Sequence, residues 1–545
     1  MRTDELAPSF LLSRRQALGS AAALVGGAAF LNSAAAKETT AAPSPKRGGV
    51  VNLLVDPEPT TLVALTDPGD PTMAVSAKVT EGLLCYDFDL TPQPQLATAW
   101  EVDASSQNFV FRLRDGVKWH DGKNFTSADV AFSILLLKQV HARGRSTFAN
   151  VIEVSTPDKL TAVIRLAKPA PYLIYAMAGC ESPMIPRHVY EGSDPYKNPN
   201  GAAPIGTGPF VFHEWVKGSH VSFVRNDDYW DSPKPYLDGV KIHFVSGSAD
   251  RLRALQSGTV DVGPGTPVPL AKVADLRRQV DLAIETNGYE YTNQVVRLEF
   301  NLDHPILGRH EVRQAIAHAI DRNGLIESAW FGLAEPTWGP ISPELKRFYV
   351  ADIPRYEFDR TKSEQILDAI GLPRDRDGIR FRLTQDYVPA GDGYANTARY
   401  IAQALAPIGV EVAVRDQDFR AYIKRIYTDR DFDLTAGRAN NMFDPTIGVQ
   451  RLYWSKNFKI GVPFSNGSHF MNPEADALLE SAATEADGQA RLGLFRRFEE
   501  LIARELPDLT LLAPRQLTIY NRRVHDHTVN AEGINANLAR AFVES

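Results

Sequence analysis

The chain has 545 residues, of which 44% are hydrophobic and 23% are charged. These proportions exclude collagen-like, disordered and coiled-coil proteins, and the length suffices for about three or four folding units. The net charge of -7 argues against a nucleic-acid-binding protein, which normally has a basic surface. The two cysteines, Cys85 and Cys180, are too few for a disulfide scaffold and are compatible with one bridge or with two separate thiols.

Residues 1–36 have the pattern of an export signal. Arg14 and Arg15 precede an apolar run at 17–31, and small residues up to Ala36 fit a cleavage site. The paired arginines indicate a twin-arginine signal and hence the twin-arginine export machinery. The apolar run, about 15 residues rich in Gly and Ala, is too short to span a bilayer about 30 Å thick. We therefore expect a mature protein that is soluble and periplasmic after cleavage.

Strand and helix patterns alternate through the rest of the chain. A β-rich run at 50–55 comes first, and the segments 109–113 and 160–166 have the composition of later strands. Between these two segments, Thr126 and Asp129 form a capping box that predicts the start of a helix. This order of elements does not repeat with a fixed period.

Further helices are predicted in the second half of the chain. Apolar residues in the segment 312–320 recur at helical spacing. Asn472 and Pro473 supply a cap and a first-turn proline for another helix, and 495–502 carries an apolar stripe. The mixture of elements predicts an α/β protein with several mixed sheets.

The sequence contains few motifs of catalytic chemistry. It has no G-x-S-x-G nucleophile elbow, and His213-Glu214 lacks the second histidine of a zinc-protease motif. The glycines in 206–210 resemble those of a phosphate loop, but the Lys-Ser/Thr pair of such a loop is missing. The segment 375–378 does not continue into a calcium loop. We therefore expect a binding protein rather than an enzyme, with no cofactor and no metal.

Short blocks of characteristic residues occur in a fixed order along the mature chain. They are Glu81–Leu84, Pro94–Glu101, Phe111–Gly122, Ser127–Val130, Ile205–Phe210, Asn226–Trp230, Leu255–Asp261, Phe300–Asn301, Val312–Ile316 and Ala319–Arg322. In this order they resemble family 5 of the extracellular solute-binding proteins, the dipeptide, oligopeptide and nickel receptors of ATP-driven importers. The resemblance covers essentially all of the mature chain, and the ordered set is highly specific.

The resemblance implies a two-lobed periplasmic-binding-protein-like fold of type II, in the large class with an extra domain, and a hinge of two crossing strands. The implied divisions are residues 37–80, 195–297 and 511–545 for lobe I, 81–194 for the extra domain and 298–510 for lobe II. A late β-rich segment, with Leu511-Leu512 and the run 517–520, agrees with a return of the chain to lobe I.

The resemblance also implies a function in import. Such a protein encloses a polar solute between its lobes, where hydrogen bonds and ion pairs act at lower dielectric, and the solute favours closure because it contacts both lobes. An inner-membrane ABC permease with cytoplasmic ATPase subunits then recognises the closed form. We expect a monomeric receptor for peptides or peptide-like solutes with no nucleic-acid partner. An exported hydrolase of peptides or glycans is the alternative from another class.

The segment 433–445 resembles the ligand-contacting segment of peptide receptors. In these receptors an acidic side chain pairs with the ammonium group of the ligand, and Asn441 takes that position here, with Asp444 three residues later. A neutral amide cannot neutralise a buried ammonium. Either Asp444 takes over, or the solute is an opine, a modified peptide or an oligosaccharide. Alternatively, Asn440, Asn441 and Asp444 only shape a loop and a turn.

Two arginines are candidates for binding a carboxylate of the ligand. Arg438 lies in the segment just described, together with Gly437 and Ala439, which the resemblance also assigns to ligand contact. Arg297 lies just before the Phe300-Asn301 block. A guanidinium suits a carboxylate because it forms two parallel hydrogen bonds. For Arg297 a solvated surface position is an equal interpretation.

The resemblance and the residue types suggest four further contacts. Asp67 and Gly69 lie in a Pro/Gly-rich loop that lines the cleft in relatives. Tyr387 and Trp454 have rings that can stack on a solute, although most aromatic side chains simply pack in a core. The sequence thus predicts a cleft lined by both lobes, with the solute class left open.

Overall fold

A computed structural model describes residues 44–544, and their strands form three principal sheets. The export signal expected at residues 1–36 lies outside the described residues. Cys85 and Cys180 are separate thiols, and Cys180 is fully buried. Of the two possibilities that the sequence left open, the structure therefore has two unpaired cysteines.

A seven-stranded mixed sheet, here called sheet I, gathers strands from distant parts of the chain. In spatial order they are Leu282–Glu285, Thr518–Asn521, Val262–Gly263, Val50–Val55, Gly239–Phe244, His220–Arg225 and Phe210–Val216. Val50–Val55 is a central strand that pairs in parallel with Gly239–Phe244. Its apolar sequence suits this position because most of its side chains are buried.

A six-stranded mixed sheet, here called sheet II, forms the core of the other lobe. In spatial order its strands are Ala334–Pro336, Asp508–Pro514, Gln294–Phe300, Leu434–Asn440, Phe381–Tyr387 and Val410–Val414. Two stretches of chain, 286–293 and 515–517, pass between sheets I and II, and we call them the first and second crossing segments. The predicted mixed sheets and two-lobed fold are thereby confirmed.

The crossing segments lie a few residues away from the divisions between the lobes that the sequence led us to expect. The divisions at 297/298 and 510/511 fall inside central strands of sheet II. Leu511-Leu512, expected in the return to lobe I, lies in sheet II, where Leu512 pairs with Val296, whereas the strand Thr518–Asn521 does return to sheet I. The reason is that Asp508–Pro514 is buried almost throughout, as a central strand must be, and the chain crosses only after it.

A four-stranded antiparallel sheet forms within the region expected to be the extra domain. In spatial order its strands are Ala97–Val102, Asn108–Leu113, Thr161–Leu166 and Val151–Asp158. The helix Ser127–Val140 packs against this sheet and begins with the predicted capping box. The Thr126 N–H donates to the Asp129 carboxylate at 2.9 Å.

The remaining elements surround the three sheets. Two short hairpins pair Leu84–Tyr86 with Pro92–Pro94 and Val524–His525 with Phe542–Val543. The α-helices of the described residues are Asp70–Ser76, Ser127–Val140, Gly144–Thr147, Arg187–Tyr190, Ser248–Gln256, Val273–Leu276, His310–Ala319, Arg322–Ala329, Arg360–Ala369, Asp392–Leu405, Phe419–Ile423, Pro445–Gly448, Gln450–Tyr453, Pro473–Thr484 and Gly488–Glu505. Within residues 44–544, none of these helices has the length and apolar character required to cross a membrane.

The largest apolar cluster joins the extra domain to lobe II. It includes Phe109 of the four-stranded sheet and Phe443 of lobe II. The ring of Tyr291, in the first crossing segment, lies 5.3 Å from the ring of Tyr86 and 5.0 Å from that of Phe443. The first crossing segment is therefore anchored by aromatic packing on both sides.

Candidate functional site

A cavity of about 150 Å³, here called the interlobe cavity, lies between the two lobes beside the second crossing segment. Lobe I, lobe II and the second crossing segment all contribute to its lining. Among the lining residues are Arg251, Thr266, Trp330, Tyr394, Arg438 and Arg515. A solute held in this cavity would contact both lobes.

Arg438 makes a polar contact between the lobes at this cavity. It lies on the strand Leu434–Asn440, and its Nη2 is 3.4 Å from Oδ2 of Asp70, the first residue of a helix in lobe I. Burial acts to lower the pKa of Arg438, but the charge of Asp70 and the hydroxyl of Tyr394 outweigh it, so the pKa is raised. The guanidinium therefore remains charged and faces the cavity.

Three neutral side chains next to Arg438 form a chain of hydrogen bonds at the ends of two central strands of sheet II. The Tyr394 hydroxyl donates to Gln294 Oε1 at 2.8 Å, and Gln294 Nε2 donates to Asn440 Oδ1 at 3.2 Å. Gln294 and Asn440 lie directly opposite each other on paired strands. Together with Arg438, these groups offer a polar solute both donors and acceptors.

Asp67 and Gly69 hold the loop that presents Asp70. Asp67 Oδ1 accepts from the Gly69 N–H at 2.9 Å, and Asp67 Oδ2 accepts from the hydroxyls of Thr60 and Thr72 at 2.8 and 2.9 Å. Gly69 precedes the first turn of the helix Asp70–Ser76. The pair therefore sets the position of Asp70, which faces Arg438.

Asn441 lies in a closely packed turn just after the strand. It is fully buried, its Oδ1 accepts from the Ser342 N–H, and its Nδ2 has no partner among residues 44–544. A Cβ atom on Gly448 would lie 1.9 Å from the main-chain oxygen of Asn441. Only Nδ2 is therefore left to meet a further polar group.

Asp444 is neutralised within lobe II. Its two carboxylate oxygens accept from Nη1 and Nη2 of Arg491 at 2.8 and 2.6 Å, and both side chains are buried. Asp444 Oδ1 also accepts from the Thr446 N–H at 2.9 Å, which caps the helix Pro445–Gly448. This geometry is at odds with the expectation that Asp444 replaces the missing acidic partner of a ligand ammonium.

Arg297 has neither of the two expected environments. It is 2% exposed in the centre of sheet II, so it is not a solvated surface arginine. Its Nη2 donates to Glu299 at 2.6 Å and its Nη1 donates to Asp508, so both partners are buried carboxylates. A charge in a central strand requires such partners because desolvation is costly. The charge of the Arg297 guanidinium is thus already balanced by two buried carboxylates.

The other expected residues lie away from the interlobe cavity. The Tyr387 hydroxyl donates to Asp416, and Trp454 Nε1 donates to Glu480 at 2.8 Å. Ala439 is 1% exposed, and Gly437 is buried near the Tyr422 hydroxyl. Of the ligand contacts expected from the sequence, Arg438 is the one that lines this cavity.

Sequence reasoning missed Asp70, Gln294 and Tyr394. Asp70 directly follows the Pro/Gly-rich loop that the sequence did single out, so its position was the available signal. Gln294 and Tyr394 are 100 residues apart and meet only through tertiary structure. No local pattern marks either residue.

Two sheets joined by two crossing segments, with a polar cavity between the lobes, define a two-lobed solute-binding protein. Residues 91–459 match the model of the bacterial extracellular solute-binding proteins, family 5 Middle. The match spans more than half of the chain, and the chain belongs to this family. The family expected from the sequence blocks is thereby confirmed.

The similarity of this chain to individual proteins supports this assignment. Protein XP55 of Streptomyces lividans is 28% identical over 464 residues, covering 84% of this chain and 81% of that protein. The oligopeptide-binding protein AppA of Bacillus subtilis (strain 168) is 26% identical over 494 residues, covering 87% and 88%. The structure of AgaA from A. tumefaciens R10, in complex with agropinic acid, has a TM-score of 0.76 and 26% identity, covering 91% and 99%.

Proposed function

We propose that this protein is the solute-binding component of an ABC importer and captures peptides or peptide-like solutes between its lobes. The interlobe cavity carries the proposal, because both lobes contribute to its lining and a solute that contacts both of them stabilises the closed state. Family membership supports a binding role, and the similarity to AppA supports the peptide class.

The cellular context of the proposal comes from the sequence. Residues 1–36 act as a twin-arginine signal, and the mature protein works as a periplasmic monomer. An inner-membrane ABC permease with cytoplasmic ATPase subunits receives the solute. Replacing Arg14 and Arg15 by lysine should retain the precursor in the cytoplasm, which fractionation and immunoblotting would detect.

A receptor for an opine is the second candidate. Asn441 is neutral and the carboxylate of Asp444 is paired with Arg491, so neither side chain supplies a charge for the N-terminal ammonium of a peptide. Arg438 offers a guanidinium to a carboxylate, and AgaA was solved with agropinic acid. An oligosaccharide, which carries no ammonium group, is a further alternative.

The decisive experiment measures both the binding of candidate solutes and any conversion of them into products. The purified mature protein is incubated with short peptides, agropinic acid and maltotriose; native mass spectrometry measures retention, and the solution is analysed for products. A complex of one solute per chain, with the solute mass unchanged, supports the receptor. Cleavage of a solute supports the hydrolase and contradicts the proposal.

Matched variants test where the solute binds. Arg438→Ala removes the guanidinium from the interlobe cavity and should weaken binding of the retained solute at least tenfold. Arg496→Ala removes an exposed arginine of the helix Gly488–Glu505 and should leave the affinity unchanged. Equal affinities of the two variants would exclude the interlobe cavity as the binding site.

A further inference from the structure

The chain contains four Asn-Gly pairs, and one of them lies in the first crossing segment. The pairs begin at Asn200, Asn287, Asn323 and Asn466. In such a pair the glycine nitrogen can attack the side-chain carbonyl carbon of the asparagine, because glycine has no Cβ to hinder the approach. This intramolecular reaction replaces the side-chain amide by a carboxylate and is called deamidation. It requires a side chain that is free to move and a main chain that can bring the two atoms together.

Asn287 has the environment that this reaction requires. Among the four asparagines, Asn287 alone combines an exposed side chain with a position outside the helices and strands. Its side chain makes no hydrogen bond within residues 44–544, and its main-chain N–H donates to Glu285 Oε1 at 2.8 Å. The side chain is therefore free to turn toward the nitrogen of the next residue.

The other three Asn-Gly pairs are held in place by the fold. Asn200 and Asn466 are 3% and 0% exposed, and hydrogen bonds to neighbouring main-chain groups hold both side-chain amides. Asn323 is exposed but lies in the helix Arg322–Ala329. A helical ψ, about −42°, keeps the nitrogen of the following glycine away from the side-chain carbonyl carbon. These three pairs should therefore react slowly in the folded protein.

The structure around Asn287 requires a glycine at the next position and places a base beside it. Gly288 has a φ of +89°, and an added Cβ would lie 2.7 Å from both Gly533 Cα and Thr528 Cγ2. The Gly288 N–H donates to Glu290 Oε2 at 2.8 Å. Burial raises the pKa of Glu290, which makes its carboxylate a stronger base. A proton acceptor is thus already in contact with the attacking nitrogen.

We propose that Asn287 is a deamidation site of the folded protein and that Glu290 accepts the proton of the attacking nitrogen. The Gly288 nitrogen forms a bond to Asn287 Cγ while its proton passes to the Glu290 carboxylate. The bond between Cγ and Nδ2 then breaks, and Nδ2 leaves as ammonia with that proton. Water opens the resulting five-membered imide and leaves an aspartate or an isoaspartate at position 287.

Either product changes the connection between the lobes. An isoaspartate carries the main chain through its side chain, so it lengthens the first crossing segment by one carbon. Both products add a negative charge beside Glu285, whose Oε1 accepts from the N–H groups of Thr286 and Asn287 at 2.7 and 2.8 Å. Like charges repel, so we expect this part of the crossing segment to rearrange after deamidation.

Peptide mapping of aged protein tests the proposal. The mature protein is kept at 37 °C and pH 8 for several weeks, and samples are digested at mildly acidic pH, where little further deamidation occurs. Mass spectrometry locates each mass increase of about one unit. We expect Asn287 to convert at least tenfold faster than Asn200, Asn323 and Asn466, which serve as internal controls. Conversion of Asn287 no faster than that of the other three would overturn the proposal.

Unfolded protein shows whether the fold causes this selectivity. In guanidinium chloride all four pairs are exposed, and we expect them to convert at similar rates. A preference for Asn287 that persists in the unfolded chain would come from the local sequence and would overturn the structural argument.

Two variants test the roles of the residues. Glu290→Gln keeps an oxygen for the Gly288 N–H but removes the base, so it should slow the conversion of Asn287 at least threefold. An unchanged rate would overturn the role of Glu290. Aged wild type should contain a more acidic species that ion-exchange chromatography separates, and Asn287→Gln should lack it. An equal amount of this species in Asn287→Gln would place the reaction elsewhere and contradict the proposal.

Discussion

Buried charged side chains in lobe II are paired with buried side chains of opposite charge. Asp444 and Arg491 form a bidentate pair, with side-chain exposures of 0% and 5%. Arg297 is similarly held between Glu299 and Asp508. Removing one partner of such a pair leaves the other charge buried and uncompensated, which typically costs about 3–5 kcal/mol.

The replacement Arg491→Met tests the pair with Asp444. We expect the free energy of unfolding to fall by about 3–5 kcal/mol, because the Asp444 carboxylate loses its partner. Urea denaturation followed by circular dichroism measures the change. Arg496→Met is the control on the same helix: its contact with Glu500 is exposed, so the loss should be about 1 kcal/mol or less. Similar losses in both variants would contradict the account of Asp444.

Glu532 should make stability depend on pH. Burial raises its pKa to about 8 from an ordinary value of 4.5. Between these values the folded state binds more protons than the unfolded state, so stability falls as the pH rises. Burial lowers the pKa of Lys78 to about 7, so Lys78 contributes to the pH dependence of stability only around and above that pH. Between pH 5 and pH 7 the wild type should therefore lose about 3 kcal/mol more stability than Glu532→Gln.

Urea denaturation at the two pH values checks this prediction. The Tyr86 N–H donates to Glu532 Oε1 at 3.1 Å, and glutamine keeps an oxygen at this place. The variant therefore removes the titratable group but retains the hydrogen bond. The exposed control Glu101→Gln should follow the wild type. Parallel pH profiles of the wild type and Glu532→Gln would show that Glu532 is ionised in the folded protein.

The residues of the site were only partly predictable from the sequence. Arg438 was identified by its residue type and its segment, and it lines the cavity. The same reasons favour Asp444 and Arg297 as ligand contacts, but Arg491 neutralises Asp444, and Asp508 is one of the two carboxylates that neutralise Arg297. These partners are 47 and 211 residues away, so only the folded chain reveals that the charges are already paired.

Among the elements, the turn after the strand Leu434–Asn440 has the closest backbone packing relevant to the site. Gly448 approaches the main chain of Asn441, and an added Cβ would be 1.9 Å from its oxygen. The main-chain N–H of Asn441 also donates to Asn293 O at 2.9 Å. The turn thus connects the end of the strand to the first crossing segment.

The replacement Gly448→Ala should displace this turn. We expect a loss of stability of about 1–3 kcal/mol or more, as in other overpacked sites, together with weaker solute binding. Gly493→Ala is the matched control, because its added Cβ meets no atom within 4 Å in the helix Gly488–Glu505. That change should stabilise the protein by about 0.5–1 kcal/mol. Thermal denaturation of both variants measures the effects, and a Gly448→Ala protein as stable as the wild type would contradict the described packing.

Local signals predicted many elements but not the sheet to which each belongs. The helices His310–Ala319, Pro473–Thr484 and Gly488–Glu505 are confirmed, and Asn472 Oδ1 accepts from the N–H groups of Glu474 and Ala475 at 2.9 and 3.1 Å. These signals lie within a few residues of one another. The strands Asp508–Pro514 and Thr518–Asn521 are equally apolar neighbours, and the sequence could not indicate that they belong to different sheets.

At the scale of the whole molecule, polar contacts connect lobe II to lobe I and to the extra domain. Arg438 contacts Asp70 of lobe I, and Lys346 Nζ lies 3.0 Å from Asp89 Oδ1 of the extra domain. The Lys346–Asp89 pair is exposed, and in the Arg438–Asp70 pair the atoms are 3.4 Å apart and Asp70 is half-exposed, so each pair contributes about 1 kcal/mol or less. Contacts this weak leave the hinge free to respond to a solute.

Asp70→Asn should therefore change the equilibrium between the open and closed states only modestly. Loss of about 1 kcal/mol changes the ratio of open to closed molecules by about fivefold. Single-molecule fluorescence energy transfer between dyes on the two lobes measures this ratio without solute. Glu101→Gln should leave the ratio unchanged, and a complete loss of the closed state in Asp70→Asn would show that this one contact controls closure.

Closure of the lobes around an unaltered solute is the central claim, and small-angle X-ray scattering tests it most directly. The mature protein is titrated with the solute that native mass spectrometry finds retained. The radius of gyration should decrease and level off at one solute per chain, with the recovered solute unchanged in mass. A radius of gyration that remains constant through saturation, at one bound solute per chain, would contradict the claim.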